Sequence, residues 1–320
     1  MSSAAVPPPV LTWLERALPG ERVAAAGPLG GGYGNENILV TGGSGRRYVL
    51  RRYRRGGAEA ARTCAVEAAL AARLAATDVP VAELVAADPA GSAAGEPLLL
   101  ARHMPGIPVS QALAADPGSA PGLGRAAGRA LAAIGAVAFD RPGAFTGPGL
   151  DPSPEGMPPG LPEFVDACLR AGNAAAALSS AQMSGVRALA AAAAPLAARA
   201  ASARQLVHSD YNGKNLLTLR RGGRWSVSAV LDWEFAFSGS PLVDIGNMRR
   251  FRAERPPGFD AAFTGGYQDA GGRLPPDWRE VSEALDLYAL ADFLTRPPGH
   301  RYFAKAVAVL ENRLARAAPG

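Results

Sequence analysis

Residues 206–247 read LVHSDYNGKNLLTLRRGGRWSVSAVLDWEFAFSGSPLVDIGN. Within this stretch His208, Asp210 and Asn215 follow the pattern H-x-D-x-x-x-x-N, and Asp232 comes directly after a short apolar segment. Phosphoryl transfer needs such a set of groups, because one carboxylate accepts a hydroxyl proton while an amide and a second carboxylate hold a metal ion against the nucleotide phosphates. The stretch therefore predicts a centre that moves a phosphate group.

A β-hairpin is expected between the two candidate metal ligands. Asn215 begins one apolar run, residues 220–223 have the composition of a turn, and residues 225–231 form a second run. Pairing of the two runs brings Asp232 opposite Asn215. Both side chains offer oxygen atoms, which are the ligands that Mg²⁺ prefers. The sequence therefore predicts a magnesium site at Asn215 and Asp232.

The loop before this hairpin carries the expected catalytic base. Asp210 lies at the loop centre, where it can accept the proton of an acceptor hydroxyl that is in line with the terminal phosphate. His208 is expected to pack beneath the loop and to bond its backbone, with a role as general base as the alternative. Asp244 is expected to bond backbone groups of the same loop. We therefore predict one catalytic residue with two structural supports.

A glycine-rich turn stands near the start of the chain, in the sequence GGGYGN at residues 30–35. Extended runs are expected on either side of it, at residues 22–29 and 37–41. Glycine lets backbone N–H groups approach a phosphate without an intervening side chain. The candidate phosphate-binding residues are Gly31, Gly32, Tyr33, Gly34 and Asn35. A solvent-exposed hairpin loop is the alternative interpretation.

The next segments predict a buried ion pair. In RYVLRRY, at residues 47–53, alternation puts Arg51 on one face of a strand, and this arginine is the one expected to point inward. The helix predicted at residues 58–76 places Glu67 on its packing face. A pair between Arg51 and Glu67 would hold a phosphate-binding side chain in place. Two unrelated surface charges are the alternative.

Two more strands, at residues 84–87 and 97–101, precede the sequence HMPG at 103–106, which breaks the pattern. We take this break as a boundary between a nucleotide-binding domain, residues 1–104, and a catalytic and acceptor-binding domain, residues 105–320. The base of a nucleotide is expected to bond main-chain groups around Leu100 and Arg102.

The second domain is expected to be mostly helical. Its predicted helices cover residues 123–139, 162–178, 181–202, 278–294 and 299–317. The third of these is expected to kink or end near Pro195. Residues 141–160 are rich in proline and glycine and lack periodicity, so they are expected to form a long surface loop.

Composition excludes several classes of protein. The chain has 320 residues and a formal net charge of +5, but its arginines are scattered and no aromatic-studded basic run occurs, so no nucleic-acid partner is expected. The sequence has no apolar span of about 20 residues, so we expect a cytoplasmic protein without a membrane partner. The two cysteines, Cys64 and Cys168, lack the spacing of a metal site and are expected to be buried packing residues. The oligomeric state cannot be read from the sequence.

Three segments resemble one known family. Two of them, HSDYNGKNLL and VLDWEFAFSGSPLVD, are similar to the two signature segments of the aminoglycoside phosphotransferase and choline kinase-like branch of the protein kinase-like fold. The third, RYVLRRY, is similar to the phosphate-binding strand of that family. The resemblance runs in order from about residue 27 to residue 292. It implies an α+β, bilobal fold, in which an N-terminal lobe contains an antiparallel sheet with a helix and the C-terminal lobe is mostly helical.

The same resemblance implies a reaction. It suggests ATP or GTP as co-substrate with Mg²⁺, Asp210 as the catalytic aspartate, Asn215 and Asp232 as metal ligands, and a small-molecule hydroxyl as acceptor. The family often has lysine where this chain has Arg51, so the anchoring of the phosphates is expected to differ. Only 11 residues separate Asp232 from Asp244, which leaves no room for the activation segment of a protein kinase.

The acceptor is the most open part of the prediction. In the family, the region that follows Asn247 supplies acceptor contacts. The candidates here are Glu234, Tyr267, Asp269 and Trp278, with apolar packing as the alternative for the two aromatic residues. The leading hypothesis is inactivation of an antibiotic of aminoglycoside, macrolide or nucleoside type. A metabolic kinase for choline, homoserine or a sugar is one alternative. A pseudokinase or regulatory protein that binds nucleotide without turnover is another.

Overall fold

The computed structural model of the chain describes residues 6–29, 35–54 and 57–317. These residues divide into two compact units. The first unit comprises Met1–Val109, Phe145–Asp151 and Asn215–Phe235, and the second comprises Ser110–Ala144, Pro152–Lys214 and Ala236–Gly320. The hairpin that carries Asp232 therefore belongs to the first unit, whereas the loop that carries Asp210 belongs to the second.

A five-stranded antiparallel sheet forms the centre of the first unit. Its strands are β1 (Val23–Pro28), β2 (Glu36–Gly42), β3 (Arg47–Arg52), β4 (Leu84–Asp88) and β5 (Leu98–Arg102), in the spatial order β1-β2-β3-β5-β4. Helix α1 (Pro8–Ala17) contributes Val10 and Leu14 to a core that includes Leu98 and Leu100. Helix α2 (Ala58–Leu74) contributes Cys64 to a second cluster that includes Leu99. Because alternate residues of a strand point to opposite faces, each face of β5 has its own helix.

A smaller sheet of the first unit holds the predicted hairpin. Strand β6 (Ile107–Pro108) pairs with β10 (Leu216–Arg221), which pairs with β11 (Arg224–Val230). The two residues of the turn, Gly222 and Gly223, have φ angles of 56° and 78°. Positive φ at both positions is what a tight hairpin turn requires, and glycine adopts it without strain. The N–H of Leu231 donates to the carbonyl oxygen of Asn215 at 2.8 Å, so Asp232 emerges opposite Asn215 as expected.

The second unit contains most of the helices. These are α3 (Val109–Ala115), α4 (Ala120–Ala136), α5 (Leu161–Arg170), α6 (Ser180–Ala198), α7 (Leu242–Arg249), α8 (Phe259–Asp269), α9 (Trp278–Phe293) and α10 (Arg301–Ala317). Its short strands β7 (Gly143–Phe145), β8 (Pro152–Ser153), β9 (Gln205–Val207) and β12 (Phe237–Gly239) form a sheet in the order β8-β7-β12-β9. A core cluster of residues such as Val165, Val186 and Leu290 joins α5, α6, α9 and α10.

Glycines allow α4 and α8 to approach closely. A Cβ atom at Gly128 would lie 2.0 Å from the carbonyl oxygen of Phe263, and one at Gly124 would lie 2.4 Å from that of Phe259. Gly266 on α8 faces the backbone of Arg125 in the same way, at 2.4 Å. Any larger residue at these positions would push the two helices apart.

The predicted α+β fold class is confirmed, and most predicted strands and helices are present. Three helices, α3, α7 and α8, were not predicted. Residues 141–160 are not simply a loop, because they contain β7 and β8. Helix α5 ends at Arg170 rather than near residue 178, and α6 continues through Pro195 to Ala198.

Two further expectations concern cysteines and membranes. Cys64 and Cys168 are both buried and free, as expected for packing residues. Among the described residues, no helix combines the length and the apolar character that crossing a membrane requires.

Candidate active site

Helix α7 holds the loop that carries Asp210. The carboxylate of Asp244 accepts hydrogen bonds from the backbone N–H groups of His208 and Ser209, both at 2.8 Å. The side-chain amide of Asn247 donates to the carbonyl oxygen of Ser209 at 2.6 Å. The N–H of Asp210 donates to Nδ1 of the buried His208 at 3.2 Å. The backbone contacts expected of Asp244 and His208 are therefore present.

The loop backbone has an unusual conformation directly before Asp210. Ser209 has a φ of 70°, a left-handed value that is uncommon for a residue other than glycine. Such a conformation persists where surrounding contacts hold it, and here α7 bonds both the N–H and the carbonyl of Ser209. On the other side of Asp210, the side chain of Asn212 donates to the Asp210 carboxylate at 2.9 Å. The position of this carboxylate is thus fixed from both sides.

A buried tyrosine anchors the same loop to α4. Tyr211 is fully buried, and its hydroxyl donates to the carbonyl oxygen of Ala127 at 2.6 Å. Burial raises the pKa of Tyr211 well above its usual value, so the hydroxyl stays protonated and remains a donor. The loop is therefore attached to two helices of its own unit.

Asp244 is the titratable group that supports this loop. Burial raises its pKa to about 7, the two backbone N–H donors oppose the rise, and the nearby charge of Asp210 adds to it. A carboxylate that accepts two backbone hydrogen bonds is stabilised in its charged form. The support for Asp210 therefore depends on the protonation of a group that titrates near neutral pH.

In the first unit, Arg51 lies among three carboxylates. Its Nη1 is 3.3 Å from Glu67, and its Nη2 is 2.8 Å from Asp232 and 2.9 Å from Glu234. The amide of Asn35 also donates to Glu234, at 3.0 Å. The ion pair between Arg51 and Glu67 that the sequence predicts is therefore present, and the strand after the glycine-rich turn begins at the same cluster.

Burial and charge act in opposite directions within this cluster. Burial raises the pKa of Glu67 to about 7, although the Arg51 guanidinium opposes the rise. Burial alone would lower the pKa of Arg51, but the charges of Glu67 and Asp232 outweigh it and raise that pKa above its ordinary value. Arg51 thus remains a cation, and the cluster keeps excess negative charge that a second cation can balance.

The same carboxylates have the chemistry of a divalent-cation site. Glu67, Asp232 and Glu234 each offer an oxygen atom, and these oxygens lie within 4.8 Å of one another. Hard oxygen donors of this kind fit Mg²⁺. Asp232 has a φ of 67°, so it shares the left-handed conformation of Ser209. These three oxygen donors therefore fit the predicted Mg²⁺. Only Asp232 was predicted as a metal ligand from the sequence, and Glu67 and Glu234 were not.

The position of Arg52 shows that the expectation of only one inward-pointing arginine on β3 is wrong. Arg52 is only 7% exposed, and it lies on the opposite face of the strand from Arg51. Its guanidinium pairs with Glu36 at 2.8 Å and donates through Nε to Glu96 at 2.6 Å. Arg52 is therefore buried and Arg51 largely so, with a side chain that is 13% exposed, and only Arg51 joins the cluster of Asp232.

The sheet engages main-chain groups at the expected base-binding position. Strand β5 is paired on both sides, with β3 and with β4. The N–H of Arg102 donates to the carbonyl oxygen of Glu83 at 2.8 Å, and Leu100 is fully buried. The expected contacts of a nucleotide base around Leu100 and Arg102 stay a prediction, in which the N–H of Arg102 already has a partner within the protein.

The remaining site candidates have different surroundings. Gly31, Gly32, Tyr33 and Gly34 lie outside the described residues. Tyr267 and Trp278 are 4% and 7% exposed, which matches the packing alternative, and Asp269 forms an exposed ion pair with Arg125 at 3.0 Å. Glu234 belongs to the Arg51 cluster in the first unit, whereas the other three acceptor candidates belong to the second.

Sequence reasoning missed two residues that position Asp210. Asn247 follows Asp244 by three positions, and this spacing puts both on one face of a helix. Asn212 follows Asp210 by two positions, a spacing typical of local side-chain to backbone bonds. Recognition of α7 as a helix would have identified Asn247.

Comparisons with known proteins give a family. The model of the phosphotransferase enzyme family (APH) matches residues 26–284. A comparison with curated proteins finds no match. The chain therefore belongs to the phosphotransferase enzyme family, and the resemblance inferred from its motifs is confirmed.

Solved structures share the fold at low sequence identity. A thermostable mutant of aminoglycoside phosphotransferase APH(4)-Ia, in a ternary complex with AMP-PNP and hygromycin B, is 20% identical, with a TM-score of 0.69 over 97% of this chain and 99% of that chain. The macrolide 2′-phosphotransferase MphH from Brachybacterium faecium is 19% identical, with a TM-score of 0.59 over 94% and 97%. A Thermobifida fusca protein provisionally named fructosamine-3-kinase is 18% identical, with a TM-score of 0.64 over 97% and 99%. The fold is the kinase-like fold of these phosphotransferases.

Proposed function

We propose that this phosphotransferase moves the terminal phosphate of ATP or GTP to a hydroxyl of a small molecule. The observation that carries the proposal is the fixed position of the Asp210 carboxylate. Asp244 and Asn247 hold the residue before it, and Asn212 bonds the carboxylate itself. A loop with so many contacts is expected where orientation of one side chain matters for catalysis.

In the proposed reaction Asp210 accepts the proton of the acceptor hydroxyl. The hydroxyl oxygen attacks the terminal phosphorus, the bond to the bridging oxygen of the nucleotide breaks, and the nucleoside diphosphate leaves. Because the transition state is loose, orientation of the hydroxyl contributes more than the basicity of the carboxylate. Groups that accept a proton in this way usually contribute roughly 10²–10⁴ to the rate.

The first unit would bind the nucleotide. Arg51 offers a fork of N–H donors that suits phosphate oxygens, and Glu67 keeps this fork in place. Asp232, together with Asn215, would hold Mg²⁺, which when bound neutralises charge on the phosphates. A nucleotide phosphate is then expected to compete with Asp232 and Glu234 for the Arg51 guanidinium.

The surroundings of the loop favour an acceptor with little positive charge. Lys214 lies over the ring of Tyr302, 4.7 Å from its centroid, and also donates to its hydroxyl. Tyr302 stacks on Phe293 and Phe251, with centroid distances of 5.0 and 6.2 Å. Lys305 lies over Phe251, but its charge is balanced by an ion pair with Glu254. Stacked aromatic rings beside the ammonium group of Lys214 suit a macrolide or nucleoside antibiotic better than a polycationic aminoglycoside.

A metabolic kinase is the second candidate. The similarity to a protein provisionally named fructosamine-3-kinase supports it, because a sugar derivative is also an acceptor with hydroxyl groups. A pseudokinase would bind nucleotide without turnover, and the presence of Asp210, Asn215 and Asp232 argues against it.

A purified-enzyme screen tests the proposal. The protein is incubated with Mg²⁺ and either ATP or GTP against macrolides, nucleoside antibiotics, aminoglycosides, choline, homoserine and sugars, and phosphorylated products are detected by mass spectrometry. We expect turnover with a macrolide or a nucleoside antibiotic. Turnover of a sugar derivative alone would favour the metabolic kinase. Nucleotide binding without any phosphorylated product would favour the regulatory alternative.

A further inference from the structure

A cavity in the second unit is lined by an excess of arginine. It lies beside α7 and the turn that follows it, against α9 and α10, and its volume is about 260 Å³. The lining arginines are Arg249, Arg250, Arg252, Arg313 and Arg316, and the lining carboxylates are Glu283 and Asp286. Five cations therefore face two anions.

Three of these arginines already share the two carboxylates. The Asp286 side chain is 1% exposed, and it pairs with Arg250 at 2.7 Å and with Arg313 at 3.0 Å. Glu283 pairs with Arg252 at 3.0 Å. Both carboxylates of the cavity therefore already have arginine partners other than Arg249 and Arg316.

Of the two arginines without a close carboxylate partner, Arg249 is the less exposed. Its side chain is 11% exposed, and its ion pair with Asp260, outside the cavity lining, is long at 3.8 Å. Its Nη1 is buried and has no hydrogen-bond partner among the described residues. Burial lowers the pKa of Arg249, and the charge of Arg252 lowers it further. A buried guanidinium donor without an acceptor is costly, so an anion that reaches it is stabilised.

Arg316 extends the excess of cations to the edge of the cavity. It is exposed, and its Nε donates to the carbonyl oxygen of Asn312 at 3.4 Å. Among the described residues, the guanidinium of Arg316 forms no ion pair with a carboxylate of the cavity. An entering anion would meet Arg316 and Arg252, which are exposed, before it meets Arg249, which is less exposed.

We propose that this cavity binds a small phosphate-bearing anion, either inorganic phosphate or the phosphate of a monoester. Guanidinium forks match the oxygens of a tetrahedral dianion and bind it through paired charge-assisted hydrogen bonds. The volume of about 260 Å³ lies below the roughly 300–1,000 Å³ of pockets for drug-sized ligands, so a single phosphate group fits the space better than a nucleotide does. The lining residues all belong to the second unit, and the Arg51 cluster belongs to the first.

Binding rather than turnover is the measurement to make. Arg250, which lines the cavity, also donates to Asn247, and Asn247 holds the carbonyl of Ser209 beside Asp210. A substitution in the cavity can therefore change catalysis by moving the loop, whether or not an anion binds. Direct binding does not depend on the proposed reaction.

The test is a calorimetric titration of the full-length protein with inorganic phosphate and, separately, with glycerol phosphate at constant ionic strength. We expect saturable binding of at least one of the two ions, and the tighter of them identifies the source of the phosphate. The double variant Arg252→Ala, Arg316→Ala removes two exposed arginines without opening the core. It should weaken binding by roughly tenfold or more, because each lost contact is charge-assisted.

Two control variants separate this site from other arginines. Arg170→Ala removes an exposed arginine of the same unit that pairs with Asp166 instead, and it should bind as the wild type does. Arg51→Ala removes the cation of the candidate nucleotide site and should also retain binding. Absence of saturable binding of both ions, or equal affinity of the double variant and the wild type, would overturn the proposal. Loss of binding in Arg51→Ala alone, with circular dichroism showing that this variant is folded, would assign the phosphate to the nucleotide site and likewise overturn it.

Discussion

Truncation of Arg51 to alanine should leave three carboxylates of the first unit without the cation that they share. The pair with Glu67 is buried, with side chains that are 13% and 8% exposed, and loss of one partner of such a pair costs about 3–5 kcal/mol. Asp232 and Glu234 are 35% and 25% exposed, so solvent screens their pairs, which add only about 0.2–1 kcal/mol each. We expect the free energy of unfolding to fall by about 3–7 kcal/mol at pH 8.

The loss of stability should depend on pH with a definite sign. The pKa of Glu67 is raised to about 7, above the value of about 4.3 that it has in an unfolded chain. A carboxyl group whose pKa is raised on folding loses stability as the pH rises from its unfolded to its folded pKa. In the wild type, the loss of stability that Glu67 causes ends near pH 7. Removal of Arg51 raises the pKa of Glu67 further, so the variant continues to lose stability above pH 7. The difference between the two proteins should therefore be larger at pH 8 than at pH 6.

Arg52 provides a matched control on the same strand. Its side chain is 8% exposed and pairs with Glu36 and Glu96 on the opposite face, so Arg52→Ala should also destabilise the protein. Only Arg51→Ala should weaken nucleotide binding, by roughly tenfold or more, because a charge-assisted contact to phosphate is lost. Urea unfolding at the two pH values and calorimetric titration with ATP and Mg²⁺ measure both effects. Equal loss of nucleotide affinity in the two variants, or unchanged stability of Arg51→Ala at pH 8, would refute this reasoning.

Four further substitutions test the loop, the metal ligands and the helix contact. Asp244→Asn keeps the shape of the side chain but replaces one oxygen that accepts a hydrogen bond from the loop by an amide donor. We expect kcat to fall by roughly tenfold or more, because a hydrogen bond to a charged group is worth about 1.5–3 kcal/mol. Its urea unfolding should also show a weaker decline of stability between about pH 4 and pH 7, because a group with a pKa of about 7 is gone. Asp232→Asn should weaken binding of the magnesium nucleotide in titrations, and an unchanged dependence on Mg²⁺ would remove Asp232 from the metal site. Gly128→Ala should lower the melting temperature because its new Cβ atom would meet the backbone of Phe263. On α8, the new Cβ atom of Gly265→Ala would meet no atom within 4 Å, so this variant should be more stable than the wild type by roughly 0.5–1 kcal/mol. A stabilising Gly128→Ala together with a destabilising Gly265→Ala would contradict the close packing of α4 and α8.

The sequence was sufficient to predict elements whose pattern is local. The hairpin that ends at Asp232 has two apolar runs separated by Gly222 and Gly223, and both glycines have the positive φ that the turn requires. This prediction needed only the spacing of residues along the chain. The contact between Asp244 and the loop was also predicted, although 36 positions separate Asp244 from His208.

Other features depended on tertiary packing. Arg52 is buried because α1 packs with the face of β3 that carries Tyr48 and Leu50, and alternation along one strand does not reveal a helix on each face. Strands β7 and β8 have three and two residues, too few to show a period. Helix α8 contains two adjacent glycines, which lower helix propensity but allow its close contact with α4. In each case a contact with a distant part of the chain decided the structure.

Phosphoryl transfer by Asp210→Asn, compared with the wild type on the best acceptor of the screen, tests the central claim most directly. Asparagine has nearly the same shape as aspartate but cannot accept the hydroxyl proton. We predict that kcat falls by roughly 10²–10⁴ while the dissociation constant for the magnesium nucleotide stays unchanged. A kcat within a few-fold of the wild type would show that Asp210 is not the base.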